Sequence, residues 1–293
     1  MSPSPSSTGS PSATAFVPAH VTGIFTVHRD DDPSRSGSRG AGLALEAGVT
    51  VEITPAETTT VLVNGEPTAV EAVDRVLDSL GVDAEVEVDA ELPLGSGFGL
   101  SGAMALGSAL ASNAGFDLGN SENDLIEVAH VAEVEAGTGL GDVVAAARGG
   151  TPIRLEPGAP PHGTLDGIPG TARVEVLTSG GLSTPAILED RPERITEAGE
   201  RALEELLDRP TLPRFLEQSR AFARDTGLLT EDVLEVIEAV EDTGGRASMG
   251  MLGRTVMAFG TDLSEAGFDP VVTRIHPGGA SILEEPGWND SPR

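Results

Sequence analysis

Two stretches of the chain bring together groups that could manage a phosphate. The first is Leu92-Pro93-Leu94-Gly95-Ser96-Gly97-Phe98-Gly99-Leu100-Ser101-Gly102. Glycine at alternate positions, Gly95, Gly97 and Gly99, lets the backbone turn tightly and offer several N–H donors to one anion. The alanine-rich segment that follows, Ala103–Ala114, has the composition of a helix, and its start would aim the positive end of a helix dipole at the same place. The Gly-Lys-Ser ending of a Walker loop is absent, so spacing alone is equally compatible with a connection built only for tight turning and close helix packing.

The second stretch is Glu133-Val134-Glu135-Ala136-Gly137-Thr138-Gly139-Leu140-Gly141-Asp142, a helix end running into a glycine-rich turn that delivers an aspartate. Glu133 or Glu135 offers a hard oxygen ligand for Mg²⁺, and Asp142 could accept a hydroxyl proton or hold reacting groups in place. Taken singly, each of these acids is also what a solvated helix surface would carry.

Acids are abundant here: 47 Asp and Glu stand against 18 basic residues, for a net charge of −29, and every basic residue is arginine. That balance excludes nucleic acid as a partner, since phosphate backbones are bound by clustered Lys and Arg. A lysine-free phosphate site must work through backbone amides, a helix dipole and Mg²⁺. With 39% hydrophobic residues and clear periodicity the chain should fold under a solvated acidic shell. High salt would screen its self-repulsion, which points to a halophilic source. The absence of cysteine excludes disulfides, thiolate metal sites and cysteine nucleophiles. No run approaches the roughly 20 apolar residues of a membrane span, and the first residues lack the parts of a signal peptide, so a cytoplasmic location with no membrane partner is expected.

The elements that must position these groups follow from pattern. Ala84–Val88 alternates as a strand, so the glycine loop lies between strand and helix. Upstream, Ala15–Val27 is apolar and β-rich, and Asp30–Gly42 is a loop polar enough to meet a ligand. Val49–Thr54 and Thr59–Val63, with a turn at Asn64-Gly65, read as antiparallel strands. Val70, Val73, Val76, Leu77 and Leu80 have helical spacing, stopped by Gly81. Ser121–Glu135 is a helix with a capped start at Ser121–Asp124 and a stop at Gly137. After Gly149-Gly150 and a strand Thr151–Leu155, the Pro- and Gly-rich stretch Glu156–Gly170 is the expected boundary between lobes. Beyond it come a strand Arg173–Thr178, helices Pro192–Leu207, Leu212–Thr226 and Glu231–Asp242, the segment Ala247–Phe259, and a strand Pro270–Ile275. The expected organisation is a disordered tail over 1–13, one lobe over 14–160, a second over 161–285, and a frayed end over 286–293.

Pro93–Ala103 resembles the second signature of the GHMP kinases, a Pro followed by a Gly-Leu-Gly-Ser-Ser-Ala type loop. Gly102 replaces one of the family's small hydroxyl residues, leaving Ser101 as the hydroxyl near Mg²⁺. Gly139-Leu140-Gly141-Asp142, with Gly149-Gly150 downstream, is similar to that family's catalytic-aspartate region. Phe16-Val17-Pro18-Ala19-His20-Val21-Thr22-Gly23-Ile24-Phe25 resembles the first signature, with His20 where many members carry a basic residue; a buried, satisfied strand histidine is equally open. This variant, followed by Asp32-Pro33 and Gly37-Ser38-Arg39-Gly40-Ala41-Gly42, resembles the archaeal pantoate-kinase branch over about residues 15 to 285. Gly244–Gly253 occupies the place of the third signature, in a supporting role.

The resemblance implies an α/β (α+β) GHMP kinase fold of two lobes, the second ferredoxin-like, with the active site in the cleft between them. It implies ATP and Mg²⁺, a phosphate cradle of Pro93, Gly95, Ser96, Gly97, Phe98, Gly99, Leu100, Ser101 and Gly102, and catalysis by Asp142, Glu133 and Ser101. Ser101 and Glu133 hold the metal, with Glu135 a close alternative to Glu133, and Asp142 is the base. The pantoate carboxylate is best met by a guanidinium, from Arg39 or Arg154, with His20 and Thr26 completing the pocket. A homodimer is a family-level expectation. Another acceptor (homoserine, shikimate or mevalonate) and a catalytically silent metabolite-binding protein are the alternatives.

Overall fold

The computed structural model describes residues 12–181 and 192–285. In chain order the elements are β1 (Ala13–Phe25), β2 (Gly40–Pro55), β3 (Thr60–Val63), β4 (Glu66–Pro67), α1 (Glu71–Leu80), β5 (Ala84–Ala90), α2 (Leu100–Gly115), α3 (Glu122–Ala136), α4 (Asp142–Arg148), β6 (Thr151–Glu156), β7 (Thr164–Ile168) and β8 (Arg173–Gly181). There follow α5 (Pro192–Asp208), α6 (Leu212–Thr226), α7 (Glu231–Asp242), β9 (Ala247–Gly250), β10 (Gly253–Phe259), α8 (Asp262–Glu265), β11 (Val271–Arg274) and β12 (Ser281–Glu284). Of the expected tail only residues 12 and 13 are described, and Ala13 is a fully buried strand residue; the expected frayed end lies outside the described residues.

One mixed sheet runs β12-β1-β2-β5-β3-β4, with β6 and β7 attached beside β2, and a second, antiparallel sheet runs β11-β8-β10-β9. The expected antiparallel pairing of Val49–Thr54 with Thr59–Val63 does not form. β5 lies between them, antiparallel to β2 and parallel to β3. The reason is the crossover: β3, α1 and β5 form a strand–helix–strand unit, and a helical crossover brings its second strand alongside the first in parallel. The Pro- and Gly-rich stretch Glu156–Gly170 holds the strand β7, paired antiparallel with β6. Ala247–Phe259 is a hairpin, and the unanticipated β12 pairs with β1, so the end of the described chain returns to the first sheet.

β1 is buried almost throughout because helices cover it along its length. Gly107 of α2 lies against Val17 and Val51, and Phe215 and Ser219 of α6 press on Gly23, where a Cβ would fall 2.3 Å from Ser219 Oγ. β5, by contrast, alternates buried Ala84, Val86 and Val88 with exposed Glu85, Glu87 and Asp89, which is the pattern of a sheet with one wet face. α3 starts on a capping box in which Ser121 and Asp124 satisfy each other's backbone amides, worth about 1 kcal/mol. It stops where Gly137 turns left-handed, and that stop sends residues 138–141 back toward the start of α2. Among the described residues no helix is long and apolar enough to cross a membrane.

Candidate active site

The link from β5 to α2 borders a cavity of about 190 Å³. Its walls are Thr22 of β1, Gly95 and Gly97–Ser101 of the loop and first turn of α2, Thr138 and Asp142 after α3, and Met251 and Leu252 at the β9–β10 turn. Gly95, Gly97 and Gly99 have φ of 72°, 82° and 61°, a region open to glycine at little cost. Gly99 caps α2 without a side-chain hydrogen bond, and no acid stands in the first turn, so the leading amides and the positive dipole end remain available to an anion. Of the expected cradle residues, Pro93, Ser96 and Gly102 stand off the cavity. Pro93 is exposed, the Ser96 carbonyl accepts from Thr255 Oγ1 at 2.7 Å, and Gly102 packs against Glu133. Both sheets anchor the loop, since the His20 amide also donates to the Phe98 carbonyl at 3.0 Å.

Asp142 is the first residue of α4, and its Oδ1 lies 2.7 Å from His20 Nδ1 and 3.4 Å from Thr22 Oγ1. Glu133 is only 2% exposed; Thr138 Oγ1 donates to its Oε1 at 2.6 Å, and Ser101 Oγ donates to Thr138 Oγ1 at 3.2 Å. The two carboxylates converge on Gly139, where a Cβ would fall 2.0 Å from Glu133 Oε2 and 3.4 Å from Asp142 Oδ2. Burial, then the charge of Asp142, pushes the Glu133 carboxyl up to about 7. Burial would raise Asp142 as well, but the hydrogen bond from His20 and the charge of Arg154 hold it below the ordinary carboxylate value. Glu135 takes no part: it is exposed and pairs with Arg75 at 2.8 Å.

The four residues expected to meet the acid substrate divide. Arg154 on β6 is 2% exposed, with Nε bound to Ser38 Oγ at 3.1 Å and, among the described residues, Nη1 buried without a partner. Burial lowers its guanidinium to about 10, partly offset by Asp142. A buried cation lacking a bonded carboxylate is costly, and an incoming acid would relieve that cost. Arg39 is already engaged, by the Leu155 carbonyl at 2.7 Å and by Glu200 of α5. The Thr26 hydroxyl is fully buried and accepts from the Arg39 amide at 2.9 Å. His20 turns to Asp142.

Sequence reasoning passed over three residues. Thr22 shares the His20 face of β1 by the two-residue period of a strand, a signal that was present. Thr138, within the quoted glycine turn, joins Ser101 to Glu133. His130 on α3 is buried with Nε2 2.8 Å from the Ser36 carbonyl, in the loop whose Ser38 binds Arg154, and no motif marked it. Oxygen donors suited to Mg²⁺ are present in Glu133, Ser101 and Thr138. Among the described residues no three acidic or histidine side chains form a cage.

Residues 67–150 match the family model described as the GHMP kinases N terminal domain. The chain is 35% identical over 248 residues to a pantoate kinase of Methanocaldococcus jannaschii, covering 82% of this chain and 90% of that protein. It is 34% identical over 285 residues to a pantoate kinase of Methanospirillum hungatei, covering 92% and 96%. A solved structure described as a phosphotransferase related to the CoA biosynthesis pathway superposes with a TM-score of 0.83 at 31% identity, covering 92% of this chain and 98% of that one.

Proposed function

The chain belongs to the pantoate kinase family of GHMP kinases, and we propose that its chemistry runs in the cavity bordered by Gly95, Ser101 and Asp142. It is an ATP-dependent small-molecule kinase that transfers the γ-phosphoryl group to the terminal hydroxyl of pantoate, giving 4-phosphopantoate for coenzyme A synthesis. The observation that carries the choice of an acid substrate is Arg154, a buried guanidinium whose Nη1 is unpaired among the described residues and which lies close enough to Asp142 for their charges to interact.

In this reading the loop amides and the start of α2 hold the nucleotide phosphates, replacing the lysine that the chain lacks. Arg154 takes the pantoate carboxylate, which orients the molecule's far hydroxyl toward Asp142. Asp142, kept ionised, accepts that hydroxyl's proton or hydrogen bond as attack proceeds. Ser101 and Glu133 would hold Mg²⁺, which when bound neutralises charge on the transferring phosphate. Most of the rate enhancement then comes from positioning and charge stabilisation.

The test is ADP release from Mg-ATP in molar KCl with pantoate, homoserine, shikimate or mevalonate as acceptor. Pantoate should exceed each of the others by about 100-fold or more in kcat/KM: all four acids offer Arg154 a carboxylate, so selection rests on which of them then places its hydroxyl at Asp142. Equal or better turnover with another acceptor would overturn the assignment.

A further inference from the structure

We propose that His20 is a positioning residue for phosphoryl transfer: its Nδ1–H holds Oδ1 of Asp142 so that Oδ2 faces the acceptor hydroxyl. This rests on the reading of Asp142 as the group that meets that hydroxyl.

An ionised carboxylate can only accept, so the 2.7 Å contact requires the proton on His20 Nδ1. The other nitrogen fixes the charge. Among the described residues Nε2 is buried without a partner, against Gly42, where a Cβ would fall 2.2 Å from it. A second proton there would leave a cationic N–H unpaired in the interior, so the ring is neutral. The direction of its titration agrees, because burial lowers the His20 pKa more than Asp142 raises it.

A neutral ring sealed behind Gly42 contributes no charge to a phosphate, and His20 is not part of the cavity wall. Its remaining role is geometric. Among the described residues every hydrogen bond to the Asp142 side chain goes to Oδ1, from His20 and more weakly from Thr22 at 3.4 Å. Oδ2, on the Gly139 side, has no donor among the described residues. One oxygen is therefore clamped and the other kept for substrate. The His20 amide, bonded to Phe98, ties the same residue to the phosphate loop, so the aspartate and the cradle share one anchor.

The test compares His20→Asn and His20→Gln, with Asp142→Asn in parallel, in the full chain. An asparagine amide can place its N–H where Nδ1–H stands, whereas the longer glutamine places it elsewhere. His20→Gln should lose about 100-fold in kcat, the scale of a misplaced base, with KM for pantoate and for ATP kept within roughly threefold. His20→Asn should recover to within about tenfold of wild type. ATP-induced shifts in unfolding temperature check that each variant folds and binds nucleotide. A rise in pantoate KM with kcat preserved would make His20 a substrate contact, and equal losses in both variants, or loss of ATP binding in both, would make it scaffold. Either result overturns the proposal. Near-normal turnover in Asp142→Asn removes the base itself, whereas an inactive Asp142→Asn beside a fully active His20→Gln removes only the clamp.

Discussion

Gly99 and Asp142 are in contact: a Cβ on Gly99 would lie 3.0 Å from the carboxyl carbon of Asp142. The end of the phosphate loop and the aspartate are thus one packed unit, and the absence of a side chain at residue 99 gives the carboxylate its place.

Gly99→Ala should accordingly do two things. It forces alanine to a φ of 61°, costing about 1 kcal/mol in chemical denaturation, and it displaces Asp142, lowering kcat about tenfold or more. Gly119→Ala, away from the cavity, is the control, with a φ of 76° but nothing within 4 Å of the added methyl. It should show the stability loss while largely keeping turnover. Equal activity in the two variants would dissociate Gly99 from Asp142.

Arg154→Met should raise KM for pantoate by about tenfold to a hundredfold, the scale of a charged hydrogen bond, and leave KM for ATP unchanged. Arg39→Met removes contacts to Leu155 and Glu200, so its effect should appear in unfolding temperature more than in pantoate KM. Steady-state kinetics on both variants decide the matter, and the reverse pattern would exchange their roles.

Burial, then the charge of Asp142, pushes the Glu133 carboxyl from an ordinary 4.5 up to about 7, so the folded state favours its protonated form. In metal-free buffer its contribution to stability is complete below pH 4.5 and declines as pH rises to about 7, beyond which the penalty is constant. Melting temperatures measured in chelator should show Glu133→Gln losing that component of the decline. Glu135→Gln, which removes only an exposed ion pair to Arg75, should keep it. An unchanged slope in Glu133→Gln would contradict the buried-acid account.

The parts of this molecule written in local pattern were legible in its sequence. α1 and α3 follow from apolar spacing and from the Ser121–Asp124 cap, and the glycine loop stands where strand-to-helix patterning put it. Strand order was not legible, because the insertion of β5 between β2 and β3 depends on a crossover and not on the residues of either strand. Nor was the return of Ser281–Glu284 to β1, a pairing of distant segments. The site shows the same division. Asp142 and Glu133 were marked by a motif, but Glu133 and Glu135 are separated only by which side of α3 meets Gly139 and which meets Arg75. Arg39 and Arg154 look alike as letters, and only tertiary contact reveals that the first is spent on Glu200 while the second keeps a nitrogen unpartnered among the described residues.

Composition makes a separate prediction. A net charge of −29 on a lysine-free chain repels itself at low ionic strength, and salt screens that repulsion within about 3 Å at molar concentration. The unfolding temperature should rise as KCl goes from low to molar concentration. A steady fall would rule out adaptation to a salty interior.

The most direct measurement of the central claim is phosphorus NMR of the product formed from Mg-ATP and pantoate. Transfer to the terminal hydroxyl gives a phosphomonoester split by the two protons of a methylene group, and Asp142→Asn should abolish it while still binding ATP. A signal split by a single methine proton would place the phosphate on the secondary hydroxyl, and would contradict an orientation in which Arg154 holds the carboxylate and presents the far end of the molecule to Asp142.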